Sequence, residues 1–366
     1  MRFREIGKTG IKISEIGFGC WTMGGPNWSL QNGQSIGWSE VNEDEVREGI
    51  RVGIEAGVNH WDNADIYGNG KAERMLAKCL RQLGVNRASQ VIATKVGHFR
   101  GTAAYSYEPE FIRRQCEQSL RNLGTDYIDL YYFHHGTFVG PDYSGEAHDY
   151  LEEAAQTIHA LKREGKIRAI GQSAYSEEDF ERAVPVVKPD VLQNKANLRY
   201  SDFILPGCRT QRLMDTHGCS FVAFGPLDQG ILLDKFDPEN PPKFEEGEYR
   251  AHRKDFNPDT LRGVRARLGK LKERFGTSPT TTSTEESTAL LASLACRWVL
   301  AHPHVCSVIP GFRNERQARC NVRAATDAPL TIEQTEFCRG VFAGASSPLR
   351  GPAHRSAVKN RSQRGL

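Results

Sequence analysis

The sequence has no hydrophobic run long enough to cross a membrane. Its longest apolar stretch covers the 13 residues of Ala289–Ala301 and is interrupted by Arg297, whereas a membrane helix needs about 20 predominantly apolar residues. The N-terminal residues, MRFREIGKTG, do not resemble a secretory signal. We therefore expect no membrane partner and a cytoplasmic location.

Cysteine patterns that would indicate a disulfide framework or a zinc site are also missing. The chain has nine cysteines, an odd number, and none forms a CxxC motif or a cluster with histidine. Scattered thiols of this kind are typical of a reducing compartment. The sequence therefore predicts no bound metal and again favours the cytoplasm.

A strong net charge is absent from the main part of the chain. The 48 basic and 45 acidic residues leave a net charge of +3, but the tail 346–366 holds five basic residues and no acidic one. Residues 1–345 are expected to form a single domain, which has no basic stripe for nucleic acid. The tail is expected to be disordered, with contact to an anionic partner as the alternative. The polar run 277–288, TSPTTTSTEEST, is expected to be flexible.

What the chain does contain is a regular alternation of short apolar runs with longer amphipathic segments. A hairpin pattern with glycines in its turn covers Phe3–Ile13. Eight buried-strand patterns follow, at Ile16–Cys20, Val58–Trp61, Val91–Thr94, Ile128–Phe133, Ile167–Ile170, Val191–Leu192, Phe221–Phe224 and Val305–Ile309. Helical patterns lie between and after them, at Asp44–Ala56, Lys71–Leu83, Pro109–Leu123, Tyr150–Arg163, Glu178–Val187, Cys208–His217, Leu290–Leu300 and Glu315–Ala324. Eight strand–helix units predict an α/β fold, a (β/α)8 TIM barrel with an N-terminal β-hairpin.

Four long loops follow predicted strands, at Met23–Glu40, Gly97–Tyr107, His134–His148 and Pro226–Asn257. In such a barrel these loops lie on the C-terminal face, which carries the active site. Aromatic residues are frequent in or beside them: Trp21, Trp28, Trp38, Phe99, Tyr105, Tyr107, Phe138 and Tyr143. We expect an apolar roof over a pocket, with ordinary packing as the alternative.

Several motifs of known chemistry are lacking. Gly17-Phe18-Gly19 begins like a dinucleotide fingerprint but has no third glycine, so no Rossmann domain is expected. A metal hydrolase on this barrel would need a His-x-His motif after the first strand, where Cys20 and Trp21 stand. A glycosidase would need a carboxylate after the fourth strand, where His134 stands.

Four polar residues lie at or just after the ends of consecutive predicted strands: Asp62, Tyr67, Lys95 and His134. A phenol with a pKa of about 10 is a poor proton donor at neutral pH. A nearby ammonium lowers that pKa, and a carboxylate holds the ammonium in place. A histidine can bind the carbonyl oxygen that receives the proton. Together these residues predict the acid catalyst of a carbonyl reduction.

Each of the four residues has an ordinary structural alternative. Taken alone, Asp62 could be a structural cap at a strand end, Tyr67 an aromatic residue at the rim of the barrel, and Lys95 a solvated residue at a strand end. His134 and His135 could be core histidines or a metal pair. Their occurrence together on three consecutive strand ends favours the catalytic interpretation.

The same segments resemble the aldo-keto reductase family, in order along nearly the whole chain. The resemblance rests on NHWDNA (59–64), GKAE (70–73), ATK (93–95), DLYYFH (129–134), GKIRAIGQS (165–173), FGPL (224–227) and IPGFR (309–313). It implies a TIM barrel that binds NADPH without a Rossmann domain and reduces an aldehyde or ketone.

The resemblance also implies which residues bind the cofactor. Ser173 and Gln193 would bind the carboxamide, and Phe224 would stack on the nicotinamide. Pro226 and Leu227 would line the pyrophosphate tunnel. The 2′-phosphate would be held by Arg313 together with the backbone of Gly311 and Phe312, and the adenine would face Gln317 and Asn321.

The sequence departs from the family pattern at Asn63, Ala174, Gly225 and Gly311, where threonine, asparagine, serine and lysine are common. We predict an NADP-dependent carbonyl reductase with Tyr67 as proton donor, Lys95 and Asp62 tuning it, and His134 orienting a small-molecule carbonyl substrate. The alternative is a cofactor-binding regulatory or interaction protein with little turnover.

Overall fold

A computed structural model describes residues 1–29, 33–99, 101–276 and 284–344. The tail 346–366 and most of the polar run 277–288 lie outside the described residues, so the expectations of flexibility there stay predictions. Residues 284–288 of that run form the start of a helix. The single-domain assignment of residues 1–345 also stays a prediction.

The described residues contain twelve β-strands, and eight of these form the central sheet. In chain order they are β1 (Phe3–Glu5), β2 (Lys12–Ser14), β3 (Phe18–Gly19), β4 (His60–Asp62), β5 (Val91–Val96), β6 (Ile128–Phe133), β7 (Val139–Pro141), β8 (Ala147–Asp149), β9 (Ile167–Ser173), β10 (Val191–Lys195), β11 (Ser220–Phe224) and β12 (Val305–Ile309). In the described part of the chain, eight of them form one parallel sheet in the order β12-β11-β10-β9-β6-β5-β4-β3.

The two edges of this sheet meet and close a barrel. Parallel bridges join Ile16 to Val308 and Gly19 to Gly311, and the Gly19 N–H donates to the Pro310 carbonyl at 3.1 Å. The predicted (β/α)8 barrel is therefore confirmed. Its first strand is shorter than the run Ile16–Cys20 that we predicted, because Ile16 takes part only through an isolated bridge.

Helices surround the barrel. Across the described residues they are α1 (Glu43–Glu55), α2 (Lys71–Gln82), α3 (Pro109–Leu123), α4 (Leu151–Arg163), α5 (Glu177–Val187), α6 (Arg209–His217), α7 (Pro258–Phe275), α8 (Thr284–Leu300), α9 (Glu315–Thr326) and α10 (Ile332–Phe342). Helix ends follow local chemistry. For example, Ser176 caps α5 through a reciprocal capping box with Asp179.

The N-terminal hairpin β1–β2 closes the bottom of the barrel. Its strands pair antiparallel, with Phe3 opposite Ser14. Ile6, Ile11 and Ile13 of the hairpin are buried and pack into the same apolar cluster as the barrel interior. Because one end is plugged in this way, the cleft lies at the opposite end, where the parallel strands terminate.

Three elements were missed by the sequence analysis. Helix α7 was not predicted, although Asn257 caps it, Pro258 starts it, and apolar residues recur every three or four positions along it. Helix α10, which begins with a capping box at Thr331, was also missed. Strands β7 and β8 form a small antiparallel hairpin inside the loop His134–His148.

Candidate active site

Strand alternation brings the candidate residues to the mouth of the barrel. Successive side chains of a strand point to opposite faces, so every second residue faces inward. The interior cluster contains Val91 and Ala93, Leu130 and Tyr132, Val191, and Val222. The next residues of the same parity are Lys95, His134, Gln193 and Lys195, and Phe224. The inward face therefore changes from apolar to polar where the strands end.

Asp62 and Lys95 form a buried ion pair at this level. The Lys95 Nζ donates to Asp62 Oδ1 at 2.5 Å and to the Asn63 carbonyl at 2.7 Å. The side chains are 3% and 1% exposed. The Gln193 amide donates to the second carboxylate oxygen of Asp62 at 2.7 Å. Both carboxylate oxygens are thus held, and the ammonium has a fixed direction.

Tyr67 lies beside this ion pair in the loop after β4. The Lys95 Nζ is 5.2 Å from the centroid of the Tyr67 ring. Burial raises the pKa of the Tyr67 phenol well above its usual value, and the Asp62 carboxylate raises it further. This direction is opposite to our prediction that Lys95 lowers it. The main physical reason is burial, which disfavours the charged phenolate, and the negative charge of Asp62 adds to the shift.

His134 follows β6, and its backbone N–H donates to the Val96 carbonyl at 2.8 Å. Its ring centroid is 6.0 Å from that of Tyr67 and 4.3 Å from that of His98. Burial lowers the pKa of His134 well below its usual value, and His98 and Lys95 lower it further. Among the described residues its Nδ1 has no hydrogen-bond partner. The ring is therefore uncharged near neutral pH, and the sequence analysis missed its neighbour His98.

A cleft of about 2860 Å³ opens above these residues. Asp62, Tyr67 and His134 line it, whereas Lys95 does not. Aromatic rings cover one side. Trp21 stacks on Tyr67 with centroids 6.1 Å apart, and Trp38 and Tyr249 lie 5.4 and 5.3 Å from Trp21. Of the aromatic residues that we expected in the roof, Trp28, Phe99 and Tyr105 also line the cleft.

Three of the expected roof residues lie elsewhere. Tyr107 and Phe138 are fully buried and stack on each other at 4.6 Å, so they are packing residues. Tyr143 is 75% exposed, and its hydroxyl donates to Glu108. The packing alternative therefore holds for Tyr107 and Phe138, whereas Tyr143 is a surface residue.

Most residues assigned to cofactor binding line the same cleft. These are Ser173, Gln193, Phe224, Pro226, Leu227, Gly311, Arg313, Gln317 and Asn321. Phe224 is 37% exposed although it ends a barrel strand. Phe312 differs: its side chain is buried against Phe18, with centroids 4.5 Å apart, and its carbonyl accepts from the Thr22 hydroxyl.

Gln317 and Asn321 bind the loop that precedes them. The Gln317 side chain accepts from the Arg313 N–H at 3.0 Å, and the Asn321 amide donates to the Gly311 carbonyl at 3.1 Å. Arg313 itself donates to the Ser39 hydroxyl. These bonds hold the segment 311–313 in place at the edge of the cleft.

A group of cations around Arg313 was missed by the sequence analysis. Lys235, Arg250 and Arg316 also line the cleft, and Lys235 lies within electrostatic reach of all three arginines. Lys235 is an exposed residue, but the protein atoms around its ammonium lower its pKa to about 8, and the arginines add to the shift. The loop after β11 folds back over the cleft to bring Lys235 and Arg250 here, which local patterns do not reveal.

Neither a metal-binding cluster nor a membrane-spanning helix occurs among the described residues. They contain no group of three or more His, Cys, Asp or Glu side chains that could hold a metal ion. None of the helices that the structure describes is long and apolar enough to span a membrane.

Comparison with known proteins decides the family. The model of the aldo/keto reductase family matches residues 15–341. The chain is an aldo-keto reductase. The family is one of oxidoreductases that use a nicotinamide cofactor, so the barrel belongs to a carbonyl-reducing class of enzymes.

Individual relatives of this aldo-keto reductase are distant but extend over its length. A probable voltage-gated potassium channel subunit beta from Oryza sativa subsp. japonica is 26% identical over 371 residues, which cover 97% of this chain and 100% of the relative. The NADH-specific methylglyoxal reductase of Escherichia coli (strain K12) is 28% identical and covers 92% and 99%. An aldo-keto reductase from Bacillus halodurans, solved in its holo form, has a TM-score of 0.68 at 25% identity and covers 93% and 96%.

Proposed function

We propose that this aldo-keto reductase reduces an aldehyde or ketone with NADPH, with Tyr67 as the proton donor. The observation that supports it most directly is the buried Asp62–Lys95 pair, which directs an ammonium toward Tyr67 at the mouth of the barrel. Such a pair is costly to bury, and its position beside a phenol and a neutral imidazole fits proton transfer to a carbonyl oxygen. The complete set of four residues does not favour the alternative of a regulatory protein with little turnover.

The residues present fit a dinucleotide phosphate. Phe224 offers an exposed ring at the end of β11, and the buried Ser173 at the end of β9 lines the same cleft. The cations Lys235, Arg250, Arg313 and Arg316 offer charge for a phosphate, which guanidinium groups bind well. We assign the nicotinamide to Phe224 and Ser173, and the 2′-phosphate to the cluster around Arg313. When bound, the nicotinamide supplies a hydride for the carbonyl carbon.

The chain's own residues manage the proton. The raised pKa of Tyr67 keeps the phenol protonated until a carbonyl oxygen begins to gain negative charge. Lys95, at 5.2 Å from the ring, stabilises the phenolate that remains after the proton has left. Asp62 keeps the ammonium in position. His134, held uncharged, can donate a hydrogen bond to the same carbonyl oxygen and orient it without competing as an acid.

The test is the Tyr67→Phe variant, which removes only the phenolic oxygen. Loss of a general acid lowers a rate by about 10²- to 10⁴-fold, so we expect kcat to fall in that range. The Kd for NADPH, followed by tryptophan fluorescence, should stay unchanged. Tyr143→Phe is the matched control, because Tyr143 is exposed and does not line the cleft. Full activity in Tyr67→Phe would remove Tyr67 from the mechanism.

A further inference from the structure

A second charged group at the mouth of the barrel is not used by the mechanism above. Lys195 ends β10 and has the same inward parity as Gln193, two residues before it. Its backbone pairs with Phe224, and its side chain passes over Gly225, where a Cβ would lie 3.7 Å from the Lys195 Cγ. The ammonium is 3.7 Å from the centroid of the Tyr200 ring. Lys195 therefore lies next to Phe224 in the sheet, and its charge is held between Tyr200 and Asp228.

This ammonium belongs to a largely buried network of five charged side chains. Lys195 contacts Asp228 at 2.7 Å. Arg199 and Arg253 each bridge the two carboxylates, Asp228 and Asp255. Lys195, Arg199 and Arg253 are 15%, 6% and 10% exposed. Three cations against two carboxylates leave one positive charge in excess at the wall of the cleft.

The backbone conformation and the pKa values of the network indicate that its excess positive charge is not neutralised by the two carboxylates. Asp228 and Gln229 have φ angles of 45° and 56°, a conformation that non-glycine residues rarely adopt. Burial lowers the pKa of Lys195 to about 8, despite the attraction of Asp228. The charges of Lys195, Arg253 and Arg199 overcome burial and hold the pKa of Asp228 well below its usual range. The carboxylate is thus saturated, whereas an ammonium has three donors and Asp228 accepts one of them.

The network is separate from the cations assigned to the 2′-phosphate. In the sheet, β11 lies between β10 and β12. Arg313 follows β12, whereas Lys195 ends β10, so the two cationic centres lie on opposite sides of Phe224. A dinucleotide held at Phe224 and Arg313 passes Pro226 and Leu227, which directly precede Asp228 of the network, so cofactor binding has to be measured alongside substrate preference. The cleft on the β10 side is continuous with the space over Tyr67 and His134.

We propose that the Lys195 network binds a carboxylate or phosphate group of the substrate, so that the enzyme prefers carbonyl compounds that carry a negative charge. This inference rests on the proposed function. The incoming anion accepts hydrogen bonds from the Lys195 ammonium and compensates the excess charge. Arg199, Arg253 and the two carboxylates hold the ammonium in place.

The experiment compares 4-carboxybenzaldehyde with its methyl ester, which differ in charge but carry the same aldehyde. Wild type should reduce the acid with the higher kcat/KM. In Lys195→Met that preference should fall by about 10-fold or more, because a charge-assisted hydrogen bond is lost. The kcat/KM for the ester should stay unchanged. Lys78→Met is the matched control: it removes a half-exposed lysine that does not line the cleft, and the preference should be retained.

Equilibrium measurements separate this inference from the proposed function. Calorimetric binding of 4-(hydroxymethyl)benzoate, the alcohol product, requires no turnover and should weaken by the same factor in Lys195→Met. If wild type binds this acid but reduces neither aldehyde, the reductase assignment fails and the anion site stands. If wild type reduces both aldehydes equally well, the anion site is refuted and the reductase stands.

Two further outcomes would also overturn the proposal. Weaker binding of NADPH and NADH alike in Lys195→Met, with the acid-to-ester preference unchanged, would assign the site to the cofactor's pyrophosphate. If Lys195→Met lowers the melting temperature but changes neither the acid-to-ester preference nor cofactor binding, the network only stabilises the fold. Lys195→Arg keeps the positive charge but changes the shape of the side chain. It should retain the preference, because the preference depends on charge rather than on packing.

Discussion

The Asp62–Lys95 pair allows a quantitative test of the site, because its energetics follow from burial. In Lys95→Met the Asp62 carboxylate stays buried and keeps only the Gln193 amide as a partner. Removal of one member of a buried ion pair typically costs about 3–5 kcal/mol. Asp62→Asn leaves the Lys95 ammonium buried with neutral acceptors only, the Asn63 carbonyl and the substituted amide, and should cost a similar amount. The double variant buries no charge at this position, so it should be at least as stable as either single variant.

Urea unfolding, followed by tryptophan fluorescence and circular dichroism, measures these differences. The coupling energy between the two substitutions should reach about 2–3 kcal/mol, the upper range for residues in contact. Lys78→Met is the control, because Lys78 pairs with Glu43 at 2.6 Å with its side chain 50% exposed. Such surface pairs contribute about 0.2–1 kcal/mol. The reasoning is refuted if Lys95→Met costs no more than Lys78→Met, or if the double variant loses the sum of the two single effects.

Three further predictions follow from the cleft and the barrel core. Arg313→Ala should weaken NADPH binding by about 10- to 150-fold, the value of one charge-assisted hydrogen bond, and leave NADH almost unchanged in fluorescence titrations; equal losses would exclude Arg313 from the phosphate site. NADPH affinity should fall as the pH rises above about 8, because Lys235 then loses its proton. Lys235→Arg should flatten this pH profile. An unchanged profile in the variant would contradict the assignment of Lys235 to the 2′-phosphate site. Gly171→Ala should destabilise the fold by about 1–3 kcal/mol, since its Cβ would lie 2.1 Å from the Tyr132 ring. Gly340→Ala, at an exposed position of α10 with open space around it, should gain up to about 1 kcal/mol in the same denaturation assay.

Helix α7 was not predicted, although its start signals and its apolar periodicity are present in the sequence. Asn257 and Pro258 are start signals, and Leu261, Val264, Leu268 and Leu271 are the buried residues at helical spacing. The segment follows a long loop and falls outside the strand–helix alternation, so it was not recognised. Helix α10 was missed although Thr331 and Gln334 form a capping box. Both errors concern local signals and could have been avoided.

The errors at the site are of another kind. The direction of the Tyr67 pKa shift depends on the burial of the phenol and on the negative charge of Asp62 near it. Neither quantity is encoded by spacing along the chain. Tyr107 and Phe138 were expected in the roof because they lie in long loops, but whether a loop aromatic faces a cleft or the core depends on how the loop folds back.

The sequence by itself determined the barrel and the position of the catalytic candidates. Eight apolar runs separated by helical patterns can satisfy their backbone hydrogen bonds in a closed parallel sheet. Strand parity then carries Lys95 and His134 to the mouth, because inward-facing positions recur every second residue. Only the tertiary structure decided which charges meet there. Lys235 joins Arg313, and Lys195 joins Asp228, through the long loop after β11. Contacts across such a loop depend on its path in space, and no local periodicity records that path.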